Sequence, residues 1–116
     1  PNGFRWKEVE GINDGAILEV GMVTSNEPAL YFEGEYGIRT ENEIVVQKDF
    51  ENEFGQFMKF ETLTFVPIDR EAIDKTLMTA DEIQWLNEYH AEVYSKISPY
   101  LTAEEAMWLK EVTAEI

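Results

Sequence analysis

Glu27 and Glu41 are two carboxylates fourteen residues apart, and Gly34 lies midway between them in the turn signal Glu33-Gly34-Glu35. If the flanking arms fold back as an antiparallel hairpin centred on Gly34, Glu27 stands opposite Glu41, because both are seven residues from the centre. Cross-strand partners have Cβ atoms about 4.5–5.5 Å apart, and like charges placed there destabilise the pair. Two facing carboxylates therefore point to a shared proton or a shared cation. A one-residue slip in pairing would turn the two side chains to opposite faces. The same residues also describe a solvated acidic face on a hairpin, and spacing alone leaves both readings open.

The elements that must position the pair are legible around it. Met22–Pro28, continued by Ala29–Phe32, forms the first arm; Gly37–Gln47, rich in β-branched residues, forms the second. On the second arm Arg39, Glu41, Glu43 and Val45 share one face, and Ile38, Thr40, Asn42, Ile44 and Val46 share the other. An arginine two residues from a carboxylate can orient it or offset its charge, as outer partners do around a metal. Pro28 removes a ladder donor directly after Glu27, so the first arm bends or lies at an edge there.

The 116 residues favour one compact domain, and a hydrophobic content of 44% is enough to bury a core. No apolar run approaches the eighteen or more residues that cross a bilayer, and no secretory signal pattern is present. A chain that starts at Pro1 is expected to be a piece of a longer one. With no cysteine there is no disulfide framework, and a reducing cytoplasm is the default compartment. Nine basic against 24 acidic residues give a formal charge of −15. That balance excludes nucleic acid as a partner, because phosphate contacts need Lys and Arg, and it excludes docking on an anionic membrane.

Pro1–Gly15 holds two turn signals, Pro1-Asn2-Gly3 and Asn13-Asp14-Gly15, around a weak strand pattern at Phe4, Trp6 and Val9. Lys48–Gln56 is polar and acidic and reads as an exposed loop; its acids do not meet calcium-loop spacing. Phe57–Val66 reads as a further strand, ended by Pro67. Ile68–Met78 is a connector with one helical turn. Thr79-Ala80-Asp81-Glu82 and Thr102-Ala103-Glu104-Glu105 are two capping boxes. The first opens a helix with an apolar stripe at Ile83, Leu86, His90, Val93 and Ile97, widened by Trp85 and Tyr89. Ser98-Pro99 stops it, and the second helix carries Met107, Trp108, Leu109 and Val112. A linker this short predicts an antiparallel helix pair. His90, the single histidine, reads as a packed and hydrogen-bonded helix residue. Strands first and helices last predict an α+β fold. No phosphate loop, nucleophile elbow or HExxH is present.

At the acidic pair the sequence resembles the Xaa-Pro aminopeptidase (aminopeptidase P) family of the pita-bread metallopeptidases. The resemblance is carried by Gly21-Met22-Val23-Thr24-Ser25-Asn26-Glu27-Pro28-Ala29 and by Gly37-Ile38-Arg39-Thr40-Glu41-Asn42. It continues through Phe60–Asp69, similar to the family's closing strand, and Trp85–His90, similar to its C-terminal helical region. It implies a distal catalytic-domain segment over residues 1–66 and a small helical region over 67–116. It implies that Glu27 ligates one metal of a dinuclear centre and shuttles protons, that Glu41 bridges both metals, and that Arg39 holds the geometry. The cofactors implied are two divalent ions, of manganese type because the ligands are oxygen-rich, with a bridging water as nucleophile. The substrate implied is a peptide with proline second, and the oligomer implied is a homodimer through the C-terminal region.

Two departures qualify the resemblance. Ala29 stands where the family has Gly, and the remaining ligands, two Asp and a His, lie upstream of this chain in the family. The chain is therefore expected to be a C-terminal fragment that is inactive alone. The alternatives are an Xaa-Pro dipeptidase of the same superfamily, a relative that kept the fold and lost the metal, and a free-standing interaction or dimerisation module.

Overall fold

The computed structural model describes residues 17–116. The turns and the weak strand expected over Pro1–Gly15 lie outside the described residues. Two compact units divide between Leu63 and Thr64. No helix among the described residues is long and apolar enough to cross a membrane.

The described residues of the first unit form five strands: β1 (Val23–Asn26), β2 (Ala29–Phe32), β3 (Tyr36–Arg39), β4 (Asn42–Asn52) and β5 (Gly55–Thr62). All pairings are antiparallel, in a three-stranded sheet ordered β1-β4-β5 and a two-stranded sheet β2-β3. The first four strands form one long hairpin interrupted near Pro28. Phe32 pairs with Tyr36 across the Glu33-Gly34-Glu35 turn, which Glu35 N–H closes on the Phe32 carbonyl at 3.0 Å. Gly34 has φ +75°, a backbone state that a side chain would strain. Val46, 1% exposed, is the buried residue among those described in this unit.

The acidic stretch Lys48–Gln56, expected as a loop, instead continues the ladder. β4 runs on to Asn52 and β5 starts at Gly55, leaving Glu53 and Phe54 as a tight turn. Gly55 has φ +123° there, and the Phe54 N–H donates to Asn52 Oδ1 at 2.9 Å. A register shift between Lys48 and Glu51 absorbs the irregularity. Phe50 and Phe57 stack with centroids 4.5 Å apart, so aromatic contact supports a strand pair whose sequence is mostly polar. The strand expected over Phe57–Val66 stops at Thr62.

Two helices dominate the second unit: α1 (Ala80–Ile97) and α2 (Ala103–Val112), with single 3₁₀ turns at Lys75–Leu77 and Ser98–Tyr100. Both capping boxes form. Thr79 Oγ1 accepts the Glu82 N–H at 3.3 Å, and Glu82 Oε2 accepts the Thr79 N–H at 2.8 Å. Thr102 and Glu105 repeat the arrangement at the same two distances. These backbone bonds, followed by the threonine hydroxyl bonds, hold the Glu82 and Glu105 carboxyls below their ordinary range. The carbonyls left open at the end of α2 are taken up by Arg70, which donates to Glu111 O at 2.6 Å and Ala114 O at 2.8 Å.

The core of this unit is Leu86, Tyr89, Val93 and Leu109, ringed by residues such as Phe65, Ile68 and Val112. The helical stripe is thus where spacing predicts it, but not all of its aromatics are inside. Trp85 is 53% exposed, although it stacks on Tyr89, and Met107 and Trp108 are also exposed. A ten-residue helix can bury one narrow face, and Leu109 takes it. The Tyr89 hydroxyl accepts the Val66 N–H at 3.3 Å and shares its proton between the carbonyls of Val66 and Thr64 at 2.8 and 3.1 Å. That hydroxyl ties residues 64–66 to the helices.

His90 is fully buried, and its Nε2 accepts the Ile68 N–H at 3.0 Å. The proton of the neutral ring is then on Nδ1, which is buried without a partner. Burial first, and the charge of Arg70 second, lower the ring's pKa from the ordinary 6.5.

Two outcomes follow for the isolated chain. Leu86→Ala removes a side chain that is 3% exposed and should cost about 2–5 kcal/mol in denaturant unfolding followed by helical circular dichroism. Trp108→Ala, at a position 58% exposed, should change stability by only about 0.5 kcal/mol. The second outcome concerns pH. Folded His90 titrates below the unfolded value of 6.5, so stability is constant above that pH and falls as pH drops through it. The Glu82 and Glu105 caps act in a separate window, below their ordinary 4.5. The melting temperature should therefore fall between about pH 7 and about pH 5.5, and His90→Gln should flatten that slope.

Candidate functional site

The two ladders of the long hairpin share one register. Asn26 pairs with Asn42 in the first and Ala29 with Arg39 in the second. Glu27 and Pro28 on one arm, and Thr40 and Glu41 on the other, bridge the gap between them. Continuing the register across the gap sets Glu27 opposite Glu41. Pro28 has no N–H to give, but its carbonyl accepts the Thr40 N–H at 3.3 Å, which keeps the arms together at the break.

The side chains agree with that register. Arg39 Nη1 lies 3.3 Å from Glu27 Oε2, and Arg39 Nη2 lies 3.3 Å from Glu41 Oε2. One guanidinium thus spans both carboxylates, so the two acids share a face and converge on one spot. All three side chains are between 41% and 48% exposed, so these ion pairs position the acids more than they stabilise the fold. The arginine pKa is raised above its already high ordinary value by Tyr31, then by Glu41 and Glu27. The two carboxylates are the acidic groups that face the Arg39 guanidinium.

Two further residues belong to this face. Tyr31 pairs with Gly37 in the ladder, and its ring lies over that glycine: a Cβ there would fall 2.9 Å from Cε1 and closer still to Cδ1. Tyr31 lies close enough to the Arg39 guanidinium to act on its charge. Ser25 Oγ donates to Glu27 Oε1 at 2.9 Å. Charge and motif do not single out either residue. The period-two rule does, since 25, 27, 29 and 31 fall on one face of an extended arm. Ala29 adopts its place without strain, because no described residue other than glycine has positive φ. The glycine of the resembled family is therefore not required by this backbone.

A divalent cation suits part of this arrangement. Glu27 and Glu41 offer convergent carboxylate oxygens, the donors that hard cations take. Among the described residues no group of three or more His, Cys, Asp or Glu side chains gathers anywhere. The pair by itself is two carboxylates, too few for a complete donor set. His90 is not part of it; its ring is committed to Ile68 in the helical unit.

Residues 56–116 match the C-terminal region of peptidase_M24, and residues 3–48 match metallopeptidase family M24. A probable Xaa-Pro aminopeptidase P of Coprinopsis cinerea is 43% identical over 91 residues, 76% of this chain and 15% of the relative. Aminopeptidase P2 of Arabidopsis thaliana is 45% identical over 87 residues, 72% of this chain and 12% of the relative. The solved X-prolyl aminopeptidase of Caenorhabditis elegans, described as a cytosolic enzyme with a di-nuclear active site, superposes with a TM-score of 0.77 at 34% identity. That superposition covers 85% of this chain and 17% of the solved one. The chain thus spans about a sixth or less of these relatives' lengths. Its strands followed by helices match the distal part of the pita-bread fold. Matched over its second half to the family's C-terminal region and over most of its first half to the family itself, the chain belongs to the M24 metallopeptidases, on their Xaa-Pro aminopeptidase side.

Proposed function

We propose that this chain is the C-terminal part of a metal-dependent Xaa-Pro aminopeptidase, to which it contributes Glu27 and Glu41 as metal ligands. The observation that carries this reading is the convergence of both carboxylates on Arg39 from two antiparallel arms. Glu27 would hold one divalent ion and exchange protons with the reacting groups, and Glu41 would bridge two ions. The ions, of manganese type, would supply Lewis acidity and an activated water. Arg39 keeps the two acids from separating and offsets their repulsion. The names of the relatives favour aminopeptidase over dipeptidase action, and so a peptide with proline second as substrate. A cytosolic neighbour and a cysteine-free sequence favour a cytoplasmic setting.

The remaining donors lie outside the described residues in this reading, so the chain alone would bind metal weakly and hydrolyse nothing. The helical unit has a second use. Met107, Trp108 and Tyr100 are exposed at 68%, 58% and 87%, which favours a homodimer through this region.

In the full-length protein Glu41→Ala should reduce release of the N-terminal residue from an Xaa-Pro peptide by more than about a thousand-fold, with circular dichroism unchanged. Near-normal turnover would remove Glu41 from the site. Titration of the isolated chain with Mn²⁺ should give a dissociation constant no tighter than about 0.1 mM, the range of weakly coordinated calcium-type sites. Submicromolar binding would contradict the incomplete donor set.

A further inference from the structure

Glu27 is held at both of its carboxylate oxygens. Oε2 faces Arg39 at 3.3 Å, while Oε1 accepts from Ser25 Oγ at 2.9 Å. A glutamate held at one oxygen still turns about its last torsion, because that torsion is broad. Holding the second oxygen from another direction fixes the plane of the carboxylate. We propose that Ser25 is a positioning residue that sets the orientation in which Glu27 meets a divalent cation. The inference rests on the reading of Glu27 as a metal ligand.

The placement is specific to Ser25. It lies on β1, two residues before Glu27, and pairs with Glu43 in the ladder. Its neighbours Thr24 and Asn26 alternate to the other face of the strand, so neither can replace its hydroxyl. Pro28 fixes the backbone immediately after Glu27, so the carboxylate is constrained from its own main chain on one side and by Ser25 on the other. Arg39 alone cannot do this, because its two nitrogens are divided between two acids. The hydroxyl donates to the carboxylate and leaves a lone pair of Oε1 free, so the bond and a cation can coexist on Glu27.

The test uses the full-length protein, stripped of metal and titrated with Mn²⁺ by calorimetry. Ser25→Ala should weaken one of two binding steps by about ten-fold, the loss usual when the partner of a ligating side chain is removed. The other step and the melting temperature of the metal-free protein should not move. Ser25→Thr keeps the hydroxyl and suits a strand, and should restore binding to within about two-fold. A Ser25→Ala isotherm that superimposes on the wild type overturns the proposal, and so does a Ser25→Thr protein as impaired as Ser25→Ala. Glu27→Gln separates the two levels: loss of one step supports Glu27 as ligand, whereas two intact steps overturn that reading itself.

Discussion

The pairing register about Gly34 is the constraint on which the functional face depends. Every pair from Val23 with Val45 to Phe32 with Tyr36 is symmetric about that glycine. A shift of one residue would move Glu27 and Glu41 to opposite faces. The register is held at three places. The turn closes on Gly34 in a conformation that a side chain would strain, the Pro28 carbonyl bonds Thr40 at the break, and Val46 is buried where β4 meets its neighbours. Charge then follows geometry. Two acids brought together by the backbone need a cation between them, and Arg39, on the same face, supplies one. The small side chain of Ala29 directly across from Arg39 leaves the guanidinium room to reach both.

Much of this was legible in the sequence because hairpins announce their centre. Gly34 between two glutamates, and equal distances to Glu27 and Glu41, were enough to align the arms. The capping boxes at Thr79 and Thr102 were equally plain, since a capping box is a local pattern that needs no knowledge of the rest of the chain. What escaped is instructive. The stretch from Lys48 to Gln56 is rich in acids and looks like a loop by composition. Its strands are supported by the Phe50–Phe57 stack and by Gln56 Nε2, which donates to the carbonyls of both phenylalanines at 3.0 and 2.8 Å. Those contacts cross a turn whose tightness composition does not reveal. Arg70 escaped for a different reason: its carbonyl partners at the end of α2 lie more than forty residues away in the chain.

Tyr31 and Ser25 mark a limit of a different kind. Both are on the acidic face by simple alternation, but neither carries charge, so a search for chemistry passes over them. Their roles come from partners. Tyr31 matters because Gly37 leaves space for its ring on the face that carries Arg39. Ser25 matters because Glu27 is two residues along the same face. Residue types locate the acids that could do chemistry; only the register identifies the neutral groups that aim them.

The order of events at such a site follows from where its geometry originates. In a small zinc domain the ligands come together only when the metal binds, and the binding energy is the folding energy. Here the convergence of Glu27 and Glu41 is written into backbone hydrogen bonds on both sides of Pro28, and Arg39 satisfies the two charges without a metal. On the proposed reading, a cation arriving at this face would meet a pair of donors already opposed and already oriented. It has to compete with a guanidinium for them, but it need not order the chain. Exposed ion pairs of this kind are weak, so that competition is mild. On the proposed reading, the arrangement favours two ligands held in shape by the chain itself, with the strength of metal binding left to whatever donors complete the set.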